Sequence, residues 1–92
     1  MLIYGVQNYF RVFFNGNEYT LENFIPDNYK MNNDVVVYKD QHGNLKYFQH
    51  GKTDIISYEK LNEYELMGSC VRYSFGVRSE NIYSNGRTYR ND

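Results

Sequence analysis

Val35-Val36-Val37-Tyr38-Lys39, Asp40-Gln41-His42-Gly43-Asn44, Leu45-Lys46-Tyr47-Phe48-Gln49: these fifteen residues read as strand, turn and strand. β-Branched and aromatic side chains fit a pleated, half-buried surface, and Asp, Gly and Asn supply the turn between the two runs. This hairpin is the clearest element of the chain, and the neighbouring segments are read outward from it.

Towards the N-terminus, Tyr9-Phe10-Arg11-Val12-Phe13-Phe14 is strand-like and Asn15-Gly16 follows it. Asn-Gly is the dipeptide that best tolerates the positive φ of a tight hairpin turn. Glu18-Tyr19-Thr20 is then the return strand. Thr20 also suits an N-cap for one helical turn through Phe24, which Pro26 stops.

Towards the C-terminus, residues 55–68 change period. Ser57 is a candidate N-cap, and Glu59 places negative charge in the first turn, where the helix dipole favours it. Tyr58, Leu61, Tyr64 and Met67 recur at near-helical spacing, with Glu59, Lys60, Glu63 and Glu65 between them, and Gly68 is the stop. Val71, Tyr73, Phe75 and Val77 alternate with Arg72 and Ser74 as in a strand. Ile82-Tyr83-Ser84, Asn85-Gly86 and Arg87-Thr88-Tyr89 form a last hairpin. No linker, internal repeat or low-complexity segment stands out. The expectation is one α+β domain over residues 1–92, a small antiparallel sheet of hairpins with one main covering helix.

Composition narrows the function. Eleven tyrosines, six phenylalanines and no tryptophan point to contact surface rather than chemistry. One cysteine, Cys70, excludes an internal disulfide and fits a reducing cytosol. The start of the chain has no signal-peptide pattern, and no apolar run approaches the ~18 residues of a membrane span. The reading is a soluble cytoplasmic protein with no membrane partner. A chain of 92 residues has a thin core, and half-exposed sheet residues gain burial in a second copy, so a homodimer is expected.

Catalytic and metal sets are sparse. His42 lies in the hairpin turn and His50 beyond the return strand, about 15–25 Å apart if the hairpin forms, too far to share a metal. Cys70 with one histidine is too small a set for structural zinc, and its expected role is a small buried apolar side chain. Glu63 and Glu65, two apart on a helix, point in opposing directions and make no carboxylate pair. The glycines form no phosphate-cradling loop. No cofactor, no metal and no enzymatic activity are expected.

Two charged groupings remain. The net charge is −1, made of −3 over residues 1–69 and +2 over residues 70–92. The acids Glu18, Glu22, Asp27, Asp34, Asp40, Glu59, Glu63 and Glu65 form a rim that can imitate spaced phosphates or simply be solvated. Duplex DNA carries about one charge per 1.7 Å of axis, and a dimer improves the match by setting two acidic faces side by side. Arg72, Tyr73, Arg87, Tyr89 and Arg90 interleave cation and ring, as single-strand platforms do. The same residues also suit a protein interface or a solvated sheet face.

Met1 to Phe14, the Asn32-Asn33-Asp34 stretch and the tyrosines around Tyr58 and Tyr64 give the chain a short, Tyr- and Asn-rich character. In this it resembles the anti-restriction nuclease proteins of T-even bacteriophages. The resemblance implies a phage-type inhibitor of a host DNA-acting protein, such as a modification-dependent restriction enzyme, with DNA mimicry as one mechanism and the eight acids as phosphate-like charges. The alternative is a small nucleic-acid-binding module using the C-terminal Arg/Tyr residues.

Overall fold

The computed structural model describes residues 2–6, 8–32, 34–57, 63–74 and 80–91. Among them are eleven strands: β1 (Leu2–Val6), β2 (Tyr9–Phe14), β3 (Asn17–Glu22), β4 (Tyr29–Met31), β5 (Val35–Lys39), β6 (Leu45–Gln49), β7 (Lys52–Ser57), β8 (Glu63–Met67), β9 (Cys70–Ser74), β10 (Glu80–Ser84) and β11 (Arg87–Asn91). They form three antiparallel meanders in chain order, with strand orders β1-β2-β3, β4-β5-β6-β7 and β11-β10-β9-β8. The central hairpin has the bounds read from the sequence.

The α+β expectation is overturned: the fold is all-β, and no helix occurs among the described residues. Ser57 ends β7, and Glu63 to Met67 form β8 in register with β9, pairing Tyr64 with Tyr73 and Leu66 with Val71. Tyr64 and Leu66 turn inward while Glu63 and Met67 are exposed, which is period two. Over so short a window a 3.6 period and a 2 period select overlapping residues, and pairing with β9 decides. Tyr58, Glu59, Lys60 and Leu61 lie outside the described residues. The helical turn expected at Thr20–Phe24 is also absent, because Thr20 to Glu22 continue β3.

The sheets stack face to face. Phe10 and Val12 of the first meet Val36, Tyr38 and Phe48 of the second, with Ile3, Phe14, Tyr19 and Leu21 at the margin. On its other face the second sheet packs Val35, Val37, Leu45 and Tyr47 against Tyr64, Val71, Tyr73 and Tyr83 of the third. The middle sheet is therefore covered on both sides. This is why Val35-Val36-Val37-Tyr38 is a continuous apolar run instead of an alternating one, and all four residues have zero exposure. Each such side chain contributes about 1.5–3 kcal/mol of burial, so stacking rather than strand propensity holds the fold.

A repeat of 35 residues runs through the molecule, contrary to the sequence reading. Three two-residue turns, Asn15-Gly16, His50-Gly51 and Asn85-Gly86, recur at that interval with φ of 52/78°, 53/78° and 52/79°. Positive φ at both central residues is the hairpin turn whose twist matches the flanking strands. His50 fills the first turn position where the other two repeats have asparagine. The ladders repeat as well. β2 with β3 slips by one residue between Phe10 and Arg11, and β6 with β7 slips between Leu45 and Lys46, 35 residues on.

Candidate functional site

Up-and-down connectivity sends the three hairpin turns to one end of the sheets, where Asn32 Nδ2 donates to the Gly68 carbonyl and the Phe14 ring lies 6.3 Å from His50. The opposite end carries the turn 40–44 and the crossover 23–28. There the described residues line a cleft of about 470 Å³, to which the crossover gives Phe24, Ile25 and Asp27, β5 and its turn give Lys39 and Asp40, and β8 gives Tyr64. Ile25 is half exposed, and Pro26 beside it is buried.

A charge network anchors this end. Glu22 Oε2 accepts from the Tyr38 hydroxyl at 2.7 Å and from Lys46 Nζ at 2.6 Å. Asp40 Oδ2 lies 3.5 Å from the same ammonium. Asp40 also ties its own turn, since Oδ1 accepts from the amides of His42 (2.8 Å) and Asn44 (2.9 Å) and Oδ2 accepts from Asn44 Nδ2 (3.0 Å). Burial opposes ionisation of Asp40, but these donors and Lys46 outweigh it and hold the carboxyl below its ordinary range. Burial, reinforced by Glu22, drives the Tyr38 phenol well above its ordinary value. Burial would depress Lys46, but Glu22 and Asp40 raise it.

Tyr64 borders the cleft from β8. Its hydroxyl is buried with no hydrogen-bond partner among the described residues. Burial raises its pKa. Lys30 places its ammonium 4.7 Å from the centre of the Tyr64 ring and donates to the Tyr64 carbonyl, joining β4 to β8.

The eight acids singled out from the sequence do not form one rim. Glu22, Asp27 and Asp40 come to the cleft end. Glu18 lies on the outer face of the first sheet, paired with Arg11 at 2.8 Å, and Glu65 on the outer face of the third, paired with Arg72 at 2.6 Å. Asp34 sits in the β4–β5 turn at the other end, Glu63 is exposed at the start of β8, and Glu59 lies outside the described residues. Four of them, Glu18, Glu22, Asp40 and Glu65, are partnered by cations of this chain.

The Arg/Tyr residues are divided as well. Tyr73 is buried against the second sheet, its hydroxyl 3.3 Å from the Ile56 carbonyl. Arg72 points outward between Glu65 and Glu80. Arg87 and Tyr89 are exposed on β11, as is Arg90, which alternation places on the opposite side of the strand from them. Cys70 is half-buried, its Sγ 3.4 Å from Ser84 Oγ on the outer face of the third sheet, not in the core. Sequence reasoning missed Lys46, Phe24 and Ile25. The 35-residue spacing of Gly16, Gly51 and Gly86 was the available signal, because it sets the boundaries of the repeated sheets and so marks 23–28 as a crossover.

The family model described as the 10-bladed beta propeller domain matches residues 1–89. No curated protein and no solved structure matches the chain. No helix among the described residues is long and apolar enough to cross a membrane.

Proposed function

The chain belongs to the 10-bladed beta propeller domain family, and from that premise we propose that it is a non-enzymatic interaction module whose stacked blades hold a partner-binding cleft at the crossover end. The observation that carries this reading is the cleft itself. It sets the half-exposed Ile25 and the exposed Asp27 close together on the crossover between the first and second sheets. An apolar contact next to a carboxylate suits a protein segment that offers a hydrophobic side chain and a basic group.

The narrower form of the proposal keeps the expected partner, a host DNA-acting protein in the cytoplasm inhibited by a phage-type anti-restriction protein. The surface such an enzyme uses for DNA is basic and complements Asp27. Extended phosphate mimicry by all eight acids has less support, because Glu18, Glu22, Asp40 and Glu65 already have cationic partners within the chain. A single-strand platform has less support still, because the Tyr73 ring is buried and unavailable to stack on a base.

A pull-down of the tagged protein from bacterial lysate, with and without nuclease, tests the proposal. The expected capture is a DNA-binding protein that survives nuclease, is displaced by duplex DNA and is lost with Ile25→Asp or Asp27→Lys. Capture that vanishes with nuclease removes the inhibitor reading. Capture indifferent to both substitutions removes the cleft.

A further inference from the structure

Among the described residues, two sheet faces have no sheet against them. Alternation in β1–β3 puts Leu2, Tyr4, Tyr9, Arg11, Phe13 and Glu18 on the face of the first sheet turned away from the second. Leu2, Tyr9 and Phe13 are 60%, 45% and 42% exposed. The third sheet turns Met67, Arg72, Ile82 and Tyr89 away from the second, with Met67 44% and Tyr89 56% exposed.

The two internal sheet–sheet joints are the same joint, displaced by 35 residues. In the first, the Tyr19 ring lies 5.3 Å from Phe48. In the second, Asp54 and Tyr83, each 35 residues on, meet through the Tyr83 hydroxyl at 3.3 Å. The Tyr38 hydroxyl lies 3.5 Å from the Leu21 carbonyl in the first joint, and the Tyr73 hydroxyl 3.3 Å from the Ile56 carbonyl in the second. Both members of that pair are again 35 residues on.

One further step leads off the end of the third sheet. The position after Tyr19 and Asp54 is Tyr89, which is exposed and ready for a ring. The place of Phe48 and Tyr83, counted back by one repeat, is held by Phe13. The place of Tyr38 and Tyr73 is held by Tyr4, since β1 pairs with β2 one residue out of step with the β5–β6 pairing. The two free faces are thus complementary halves of a third joint. We propose that this chain associates head to tail with a second copy of itself, the outer face of the third sheet receiving the outer face of the copy's first sheet. Tyr89 then stacks on Phe13 of the copy, and Tyr4 of the copy donates to the Asn91 carbonyl.

The joint between copies is more polar than those within the chain. Arg72 and Glu80 stand where the second sheet has Val37 and Leu45, and they are 3.2 Å apart as an ion pair. It therefore dissociates more readily than the internal joints. The contact is heterologous, so it adds copies until a ring closes or a filament grows.

Sedimentation velocity over a dilution series tests this with the whole chain. The wild type is expected to rise from monomer mass with concentration, and Phe13→Asp and Tyr89→Asp alone are each expected to stay monomeric. Mixed in equal amounts, the two variants retain one competent face each, and the expected species is a pair of about twofold monomer mass that grows no further. Circular dichroism checks that both variants fold, and Phe13→Ala with Tyr89→Ala applies the same logic should an aspartate prevent folding. A wild type monomeric at every concentration overturns the proposal. So does a Tyr89→Asp protein that still self-associates, since that outcome means two first-sheet faces pair with each other.

Discussion

Phe48 and Phe13 occupy the same place in consecutive repeats, 35 residues apart and each one residue before the last of its strand, β6 and β2. They differ in what lies over them. Phe48 is 1% exposed beneath the first sheet, against Tyr19 and among Phe10, Val12, Val36 and Tyr38. Phe13 is 42% exposed, on a face that no sheet of the described residues covers. Truncating a fully buried phenylalanine loses its transfer energy and leaves a cavity, about 3–5 kcal/mol in all. Phe48→Ala should cost that much, and Phe13→Ala about 1 kcal/mol or less, as for exposed sites. A domain of this size has roughly 5–14 kcal/mol of stability in total, so Phe48→Ala removes a large share and Phe13→Ala little. Urea unfolding followed by circular dichroism at low protein concentration, where copies do not associate, reads the difference as a shift in midpoint at constant slope. Costs equal to within about 1 kcal/mol would refute the stacked-sheet reading, because the covering sheet is what distinguishes the two positions.

Three further outcomes are expected. Gly51→Ala should destabilise more than Gly16→Ala, since both put a side chain at positive φ but only at Gly51 does the new Cβ come within 2.8 Å of the Tyr19 hydroxyl, with nothing within 4 Å at Gly16; equal urea midpoints would dismiss the Tyr19 contact. Burial, and then the charges of Tyr83, Cys70, Asp34 and Asp54, push the Tyr47 phenol up to about 12, above its unfolded value of about 10, so its contribution is complete below about pH 10 and lost as pH rises towards about 12; Tyr47→Phe should flatten that alkaline decline in urea midpoints, and an unchanged decline would refute the assignment. The lowered Asp40 carboxyl gives the opposite sign, stabilising above the ordinary carboxylate range near pH 4 and fading as pH falls through its folded value. Asp40→Asn should cost about 1–3 kcal/mol at neutral pH and show a shallower acid decline, and an acid limb as steep as wild type would exclude Asp40 as its source.

Local chemistry alone determined the hairpins. Asn15-Gly16 and Asn85-Gly86 favour positive φ whatever surrounds them, and the runs on either side are β-branched or aromatic, so these turns and the Val35–Gln49 hairpin were legible from sequence. The placement of Tyr73 was half legible, because alternation separated it from Arg72 without saying which face would be covered. What lies beyond a few residues was not legible. Glu63 to Met67 satisfied two periods, and only the β9 ladder chose between them. Glu22 read as one more surface acid until β3 brought it onto Tyr38 and Lys46, far along the chain. Tertiary structure alone decided that the hairpins form three stacked sheets rather than one, because a sheet's two faces look alike in sequence until a neighbour buries one of them. The same stacking turned the repeat of turns into a repeat of joints, and left Phe13 and Tyr89 exposed at the two ends of the stack.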